Sequence, residues 1–286
     1  MRTYNDIYLN ARRRLRTAGI EAHDLEARLI VSSASGKTRE EYVSASRFYV
    51  SDPAIEREVN SMIDRRLSGE PVAYIVGEWE FYGLPLAVNK SVLVPRVDTE
   101  LLAELSIQLM KKRGWQTRIL DLCTGSGCIG LAIAANVPNC RIVLADISDE
   151  ALAVCRMNML KNGLSRQVTV IDVDATGYPP ALLGRFDAIV SNPPYIPSGD
   201  IQNLDSSVRD FEPHFALDGG PDGLDYIRAI ASNWKTLLKP AGNLALECGI
   251  GQAQAVCEIM EDNGFKDIQI HTDTGEIPRV VIGTLK

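Results

Sequence analysis

The chain has 286 residues, 45% hydrophobic and 23% charged, which suits an ordinary globular protein with a buried core and room for a smaller second domain. No run approaches the roughly 18 continuous apolar residues of a membrane span, and the start MRTYNDIYLNARRR shows no apolar signal segment. Thirty Lys and Arg against 37 Asp and Glu leave a net charge of −7, which argues against binding driven mainly by nucleic-acid phosphates.

The charge is uneven: residues 1–72 carry 12 basic and 11 acidic side chains, leaving 18 against 26 for the remainder. Arg12, Arg13, Arg14 and Arg16 form either a local basic edge or, more simply, a solvated helix face. Tyr4, Ile7, Tyr8, Ala11 and Leu15 recur at helical spacing, and Leu25, Leu29 and Ile30 suggest a second stripe before Ser35-Gly36. A short helix is expected over 37–43. A longer one starts at Pro53 behind Asp52, with Ile55, Val59, Met62 or Ile63, and Leu67 on one face and Gly69 ending it. Such stripes bury themselves against one another, so residues 1–70 read as a helical domain.

From Pro71 to Pro95 the character changes. Residues 73–76 and 80–82 read as short strands or a hairpin, with another extended piece over 86–94, so 71–95 is a β-rich linker. Trp79, Phe81 and Tyr82 are expected to pack this bridge. Thr99 or Asp98 then caps a helix carrying Leu101, Leu102, Leu105 and Leu109, closed by Gly114.

Beyond Arg118, strands at 119–123, 142–145, 168–173, 186–191 and 243–247 alternate with helices at 129–136, 150–161, 223–238 and 252–263. Two closing strands, 266–271 and 279–283, are spaced for antiparallel pairing. The expected architecture is α/β: a doubly wound seven-stranded sheet with a terminal antiparallel hairpin, over 96–286. Six cysteines, at 123, 128, 140, 155, 248 and 257, match neither a disulfide framework nor a zinc ladder, and favour the cytosol. His23, His214 and His271 have no metal-ligand spacing, so no metal is expected.

Residues 121–130, DLCTGSGCIG, join the first sheet strand to its helix, and Gly125, Gly127 and Gly130 satisfy GxGxxG. Small residues there let a ligand approach the backbone, as in a nicotinamide or flavin site, or simply make a tight packed turn. Asp146 ends the second strand, where a carboxylate accepts both ribose hydroxyls of NAD or of S-adenosylmethionine. Candidate donor-site residues are therefore Asp121, Thr124, Gly125, Ser126, Gly127 and Asp146, with Asp174 beside adenine or in a surface turn, and Asn192 where donor and acceptor meet. Asp121 either holds the turn or approaches the donor.

Asn192-Pro193-Pro194-Tyr195 follows the apolar run FDAIVS at the end of the fourth strand, where open parallel sheets place ligands. The Asn192 side-chain carbonyl and the Pro193 backbone carbonyl can accept both hydrogens of a planar NH2 group and turn its nitrogen toward a sulfonium methyl for direct SN2 transfer. Pro194 stiffens the turn and Tyr195 stacks on the acceptor. The plain alternative is a rigid turn without chemistry. Glu247 ends another strand, where it faces the pocket or, more simply, stabilises the following turn.

With these motifs the chain resembles the HemK/PrmC family of protein-(glutamine-N5) methyltransferases. The resemblance rests on GEPVAYI (69–75), GEWEFYG (77–83), VPRVDTE (94–100), the glycine turn, NPPYI and VRDFEP (208–213) followed by Ala216-Leu217. It implies a class I methyltransferase fold, S-adenosylmethionine as cofactor with S-adenosylhomocysteine as product, and the GGQ glutamine of peptide chain release factors as acceptor in translation termination. It further implies that the helical amino-terminal domain engages the release factor. Apart from the resemblance, no membrane and no direct nucleic-acid substrate are expected, and the chain is expected to be a monomer apart from the substrate complex. Asn192 and Pro193 then correspond to the amide-orienting pair, Tyr195 to the wall of the glutamine slot, Gly125 and Gly127 to the donor loop and Asp146 to the ribose ligand. Arg96, Asp98, Thr99 and Glu100 correspond to a loop near that pocket. Two positions depart from the family pattern: Val97 stands for a proline, and Cys123 for a glycine.

The main alternative is an N6-adenine nucleic-acid methyltransferase, which shares NPPY and would stack Tyr195 on a flipped base. The acidic balance and the helical amino terminus count against it. A NAD-dependent oxidoreductase leaves NPPY idle, and a noncatalytic binding module leaves both motifs unexplained.

Overall fold

The computed structural model describes residues 2–114 and 116–286 and divides into two compact units. One runs up to Glu78 and includes Ser206–Phe211; the other comprises Trp79–Asp205 and Glu212–Lys286.

The first unit holds helices α1 (Tyr4–Thr17), α2 (His23–Ala34), α3 (Arg39–Ala45), α4 (Pro53–Leu67) and α5 (Val72–Val76). Thr3 and Asp6 form a capping box that starts α1, which buries Tyr4, Ile7, Tyr8, Ala11 and Leu15 as the spacing predicts. Thr38 and Glu41 repeat the device on α3, and Asp52 caps α4 ahead of Pro53.

Two expectations fail in this unit. The buried face of α2 is Glu26, Ala27, Ile30 and Val31, while Leu25 is exposed. A charged residue conceals that face in the sequence, because Arg66 of α4 pairs with Glu26 through Nε–Oε2 at 2.7 Å and Nη2–Oε1 at 3.2 Å. Residues 73–76, read as a strand, belong to α5. Pro71 precedes it, and Gly77 at φ 76 ends it by donating its N–H to the Ala73 carbonyl at 2.8 Å. Proline before and glycine after outweigh the β-branched composition, and Val72 to Ile75 are buried without alternation.

A hairpin follows, β1 (Glu78–Phe81) and β2 (Leu84–Ala87), which from Trp79 onward belongs to the second unit. Its two-residue turn places Tyr82 at φ 50 and Gly83 at φ 76, the signature of a type I′ turn. Then follow α6 (Glu100–Arg113), β3 (Arg118–Leu122), α7 (Cys128–Asn136), β4 (Arg141–Asp146), α8 (Asp149–Lys161), β5 (Val168–Asp172) and β6 (Phe186–Ser191). The helix expected over 223–238 is Asp225–Asn233, continued by a tighter turn at Trp234–Leu237. Strand β7 (Leu238–Glu247), the helix Ala253–Asp262, and strands β8 (Phe265–Thr272) and β9 (Pro278–Leu285) complete the unit.

The seven-stranded sheet has the order β5-β4-β3-β6-β7-β9-β8, with β9 antiparallel to both neighbours and the other pairs parallel. Strand residues alternate between two apolar layers. Ile119, Ile142, Leu144, Ala188 and Val190 pack with α6 and α7, whereas Leu120, Val143, Ile189 and Leu246 pack with Trp234 and Met260. Both faces being covered is why these strands read as continuous apolar runs, and every residue of β6 is buried. The strand order reverses between β3 and β6, which opens a crevice at their carboxyl ends.

All six cysteines are free. Among the described residues no helix is long and apolar enough to cross a membrane.

Candidate active site

The register of the sheet assembles the site. Ala145, Leu122, Ser191 and Leu246 lie side by side on β4, β3, β6 and β7, and the Ser191 hydroxyl donates to the Leu122 carbonyl at 2.7 Å. The next residue on each strand course is Asp146, Cys123, Asn192 and Glu247. This second row stands at the carboxyl edge, where Asp146, Cys123 and Asn192 line a cavity.

Asp121 is fully buried behind the glycine turn. Its Oδ2 accepts from the Thr124 hydroxyl at 2.7 Å and the Gly130 N–H at 2.9 Å, tying the turn to the first residues of α7. Burial pushes its carboxyl up to about 7, and its Oδ1 is buried without a partner. Gly130 is needed for packing, since a Cβ there would stand 2.1 Å from Leu144. Gly127 holds φ 84, and its Cβ would meet Cys155 at 3.0 Å. Gly125 differs: at φ 54 it has nothing within 4 Å of an added Cβ, so the turn leaves space above its backbone.

Asp146 accepts from the Gly125 N–H at 2.8 Å and from the Ser148 N–H at 3.1 Å, one bond to each oxygen. Burial raises its pKa, and each oxygen keeps acceptor capacity for a diol. Asp174, beyond β5, forms its own turn by accepting from the Thr176 N–H and hydroxyl at 2.8 and 2.7 Å. Both carboxylates line the cavity, with Thr124, Gly125 and Ser126. Open space over Gly125, flanked by acceptors, fits a ribose and its attached groups.

On the opposite side, Asn192 and Pro194 line the cavity. Asp121, Gly127, Pro193 and Tyr195 lie outside the wall: Asp121 and Gly127 shape the turn from behind, and Pro193 is buried in the loop. The Tyr195 hydroxyl is pushed up to about 12 by burial and by the charge of Glu247, so it stays neutral. Cys123 lines the cavity at φ 56, a left-handed conformation that costs a residue with a Cβ about 1 kcal/mol and that a glycine would adopt freely.

Arg96, Asp98, Thr99 and Glu100 of the 96–100 loop each have a partner. Arg96 pairs with the buried carboxylate of Glu212, which also accepts from the Val94 N–H at 3.2 Å. Asp98 lies 3.3 Å from Arg279, and Glu100 accepts from the Tyr82 N–H at 2.8 Å. Thr99 is not a side-chain cap of α6, contrary to the expectation; its hydroxyl accepts from Asn192 Nδ2 at 3.2 Å. Ser and Thr before a helix ordinarily signal a cap, and a long-range partner is invisible to that rule.

Three further residues, Asn158, Phe215 and Tyr226, escaped the sequence reading, and Glu247 was weighed there both as facing the pocket and as stabilising its turn. Asn158, fully buried on α8, donates to the Ser126 carbonyl at 2.9 Å and exchanges bonds with Ala87, securing the turn. Phe215 and Tyr226 close the cavity. Glu247 is buried beside Asn192, and a lone acid ending the apolar run LALE was its signal.

Comparison with known proteins agrees with this architecture. Residues 97–205 match the Methyltransferase small domain and residues 6–77 the PrmC N-terminal domain. The release factor glutamine methyltransferase of Bradyrhizobium diazoefficiens is 38% identical over 271 residues, covering 94% of this chain and 90% of its own. A bifunctional methyltransferase of Rickettsia typhi is 34% identical over 289 residues, covering 95% of this chain but 55% of its own, so the chain spans about half that relative. The crystal structure of a methyltransferase from Pyrococcus furiosus shares the fold, with a TM-score of 0.51 at 17% identity over 79% of this chain and 98% of that one.

Proposed function

Because the chain belongs to the release factor glutamine methyltransferase family, we propose that it transfers a methyl group from S-adenosylmethionine to the side-chain amide nitrogen of the glutamine in the GGQ motif of peptide chain release factors. The reading is carried by one observation: Asn192 stands at the carboxyl end of β6 and lines the same cavity as Asp146 and the Gly125 turn, with its Nδ2 taken by Thr99.

In this reading Asp146 accepts the ribose hydroxyls, Thr124, Gly125 and Ser126 border the donor, and Asp174 lies toward the adenine. Asp121 and Gly127 act indirectly, by shaping the turn. When bound, S-adenosylmethionine supplies a sulfonium methyl open to direct SN2 displacement. An amide nitrogen is a weak nucleophile because its lone pair is delocalised into the carbonyl. Asn192 Oδ1 and the Pro193 carbonyl each accept one of its hydrogens, holding the nitrogen and drawing its lone pair out of conjugation. Both contacts strengthen as positive charge develops on nitrogen, so they favour the transition state over the bound substrate. The proton leaves late, from an already acidic nitrogen, and needs no strong base. Pro194 fixes the loop and Tyr195 bounds the planar acceptor.

Residues 1–70 are assigned to release-factor recognition, 71–95 to a linker and 96–286 to methyl transfer, in a cytoplasmic monomer. The test is incubation with labelled S-adenosylmethionine and unmethylated release factor. One methyl on the GGQ glutamine is expected; transfer to adenine-containing oligonucleotides instead would replace this reading with the nucleic-acid one.

A further inference from the structure

Glu247 is a carboxylic acid where the fold asks for an apolar residue. It ends a buried run of β7, is 2% exposed, and its Oε2 is buried without a hydrogen-bond partner. Since Ser191 pairs with Leu246, Asn192 and Glu247 are the next residues on adjacent strands, roughly 4.8 Å apart along the sheet. Thr99, also 2% exposed, accepts from Asn192 Nδ2 at 3.2 Å. A hydroxyl that accepts an amide hydrogen still has its own hydrogen to place, and an ionised carboxylate can only accept. The Thr99 hydroxyl and the Asn192 amide both stabilise the charged form of Glu247 through side-chain hydrogen bonds.

We propose that Glu247 is a positioning residue that sets the direction of the hydrogen bonds running through Thr99 to Asn192, so that Asn192 turns Oδ1 rather than Nδ2 toward the substrate amide. The inference rests on the methyl-transfer reading of the site. With Glu247 ionised, Thr99 donates to it and receives Asn192 Nδ2, which leaves Oδ1 for the substrate NH2. With Glu247 protonated, the carboxyl donates to Thr99, whose hydrogen turns toward Asn192. The amide then flips, Nδ2 confronts the substrate NH2, and two donors face each other without a bond.

The surroundings set where this reversal falls. Burial is the largest influence and pushes the Glu247 carboxyl up to about 7, against the Thr99 and Asn192 bonds. Arg279 on β9 favours ionisation and Asp98 opposes it, while Arg279 is itself engaged by Asp98 at 3.3 Å and Asp273 at 3.1 Å. Tyr195, Cys128 and Cys248 also face Glu247, and all three have raised pKa values that keep them neutral.

The test uses the full chain with S-adenosylmethionine and unmethylated release factor, following kcat between about pH 5.5 and 8.5, together with the Asn192 side-chain amide resonances of isotope-labelled free protein. In the wild type, kcat should fall roughly tenfold per pH unit below about 7, while the Kd for S-adenosylmethionine stays constant. Glu247→Gln should flatten that limb and lower the upper plateau roughly ten- to a hundredfold. Thr99→Ser should keep the limb and Thr99→Val should lose it. The Asn192 amide signals should shift with the same midpoint, and the shift should vanish in Glu247→Gln. An unchanged pH profile in Glu247→Gln, immobile amide signals, or parallel loss of donor binding and kcat would overturn the proposal. A wild type that transfers no methyl at any pH would overturn the function instead, and the amide titration would then decide the role of Glu247 alone.

Discussion

Gln252 donates its side-chain amide to the backbone carbonyl of Tyr195 at 2.9 Å, while its Oε1 accepts from the Gly249 N–H at 2.8 Å. The turn after β7 thus holds the loop after β6. Gly223 presses on the same carbonyl, since a Cβ there would stand 2.2 Å from Tyr195 O at φ 76. Gly223→Ala should therefore move the loop, lower kcat and destabilise the fold by roughly 2–4 kcal/mol, read by chemical denaturation. Wild-type turnover in this variant would show that the loop tolerates displacement.

Asn192→Ala and Asp146→Ala should separate chemistry from binding. The first should lower kcat roughly a hundred- to a thousandfold with little change in the Kd for S-adenosylmethionine, because its contact matters most as charge develops. The second should weaken donor binding in calorimetry, through the lost diol contact and the released Gly125 N–H. Identical effects of the two variants on binding would contradict their separate assignments.

Asp121 predicts a pH dependence of stability. Its carboxyl rises to about 7 in the fold, above the ordinary value of about 3.9. The fold therefore prefers the protonated acid. Its stabilising contribution is complete below about pH 4 and disappears as pH rises through about 7. Stability of the wild type relative to Asp121→Asn should fall by a few kcal/mol between about pH 4 and 8, measured by urea titration. A constant difference would place the ionised form in the native state.

In the helical unit, Arg66→Ala should leave Glu26 buried without its partner and cost about 3 kcal/mol. The double variant Glu26→Met/Arg66→Met should recover much of that loss, because it removes both charges and retains packing volume. A double-mutant cycle with no coupling would show that the pair contributes nothing to the fold.

Val97→Pro should stabilise the chain by roughly 0.4–1 kcal/mol, seen as a higher Tm. Val97 is 77% exposed at the start of a tight helical turn, and Arg96 before it is extended, at φ −98 and ψ 147. A proline fits that setting without disturbing the loop. A lower Tm would mean that the backbone there differs from the proline geometry.

The centre of the sheet was legible from sequence because both its faces are covered there, so β3, β4 and β6 appear as short, largely apolar runs. FDAIVS matches β6 residue for residue, and the glycine turn and NPPY follow from where such strands end. The helical unit was less legible wherever one partner came from far along the chain. Glu26 reads as a surface acid until Arg66 arrives, and α5 reads as a strand until Pro71 and Gly77 are weighed above its β-branched residues. Thr99 shows the same limit in the site, for its partner lies 93 positions away.

The row formed by Asp146, Cys123 and Asn192 also works as a ruler. Neighbouring strands stand about 4.8 Å apart, so the diol anchor and the amide anchor are separated by two strand spacings, close to 10 Å. Hydrogen bonding between β4, β3 and β6 fixes that backbone spacing up to Ala145, Leu122 and Ser191. On the proposed reading, a donor held at Asp146 presents its reactive carbon across this span to an amide held at Asn192, so the sheet sets how far apart the two partners sit.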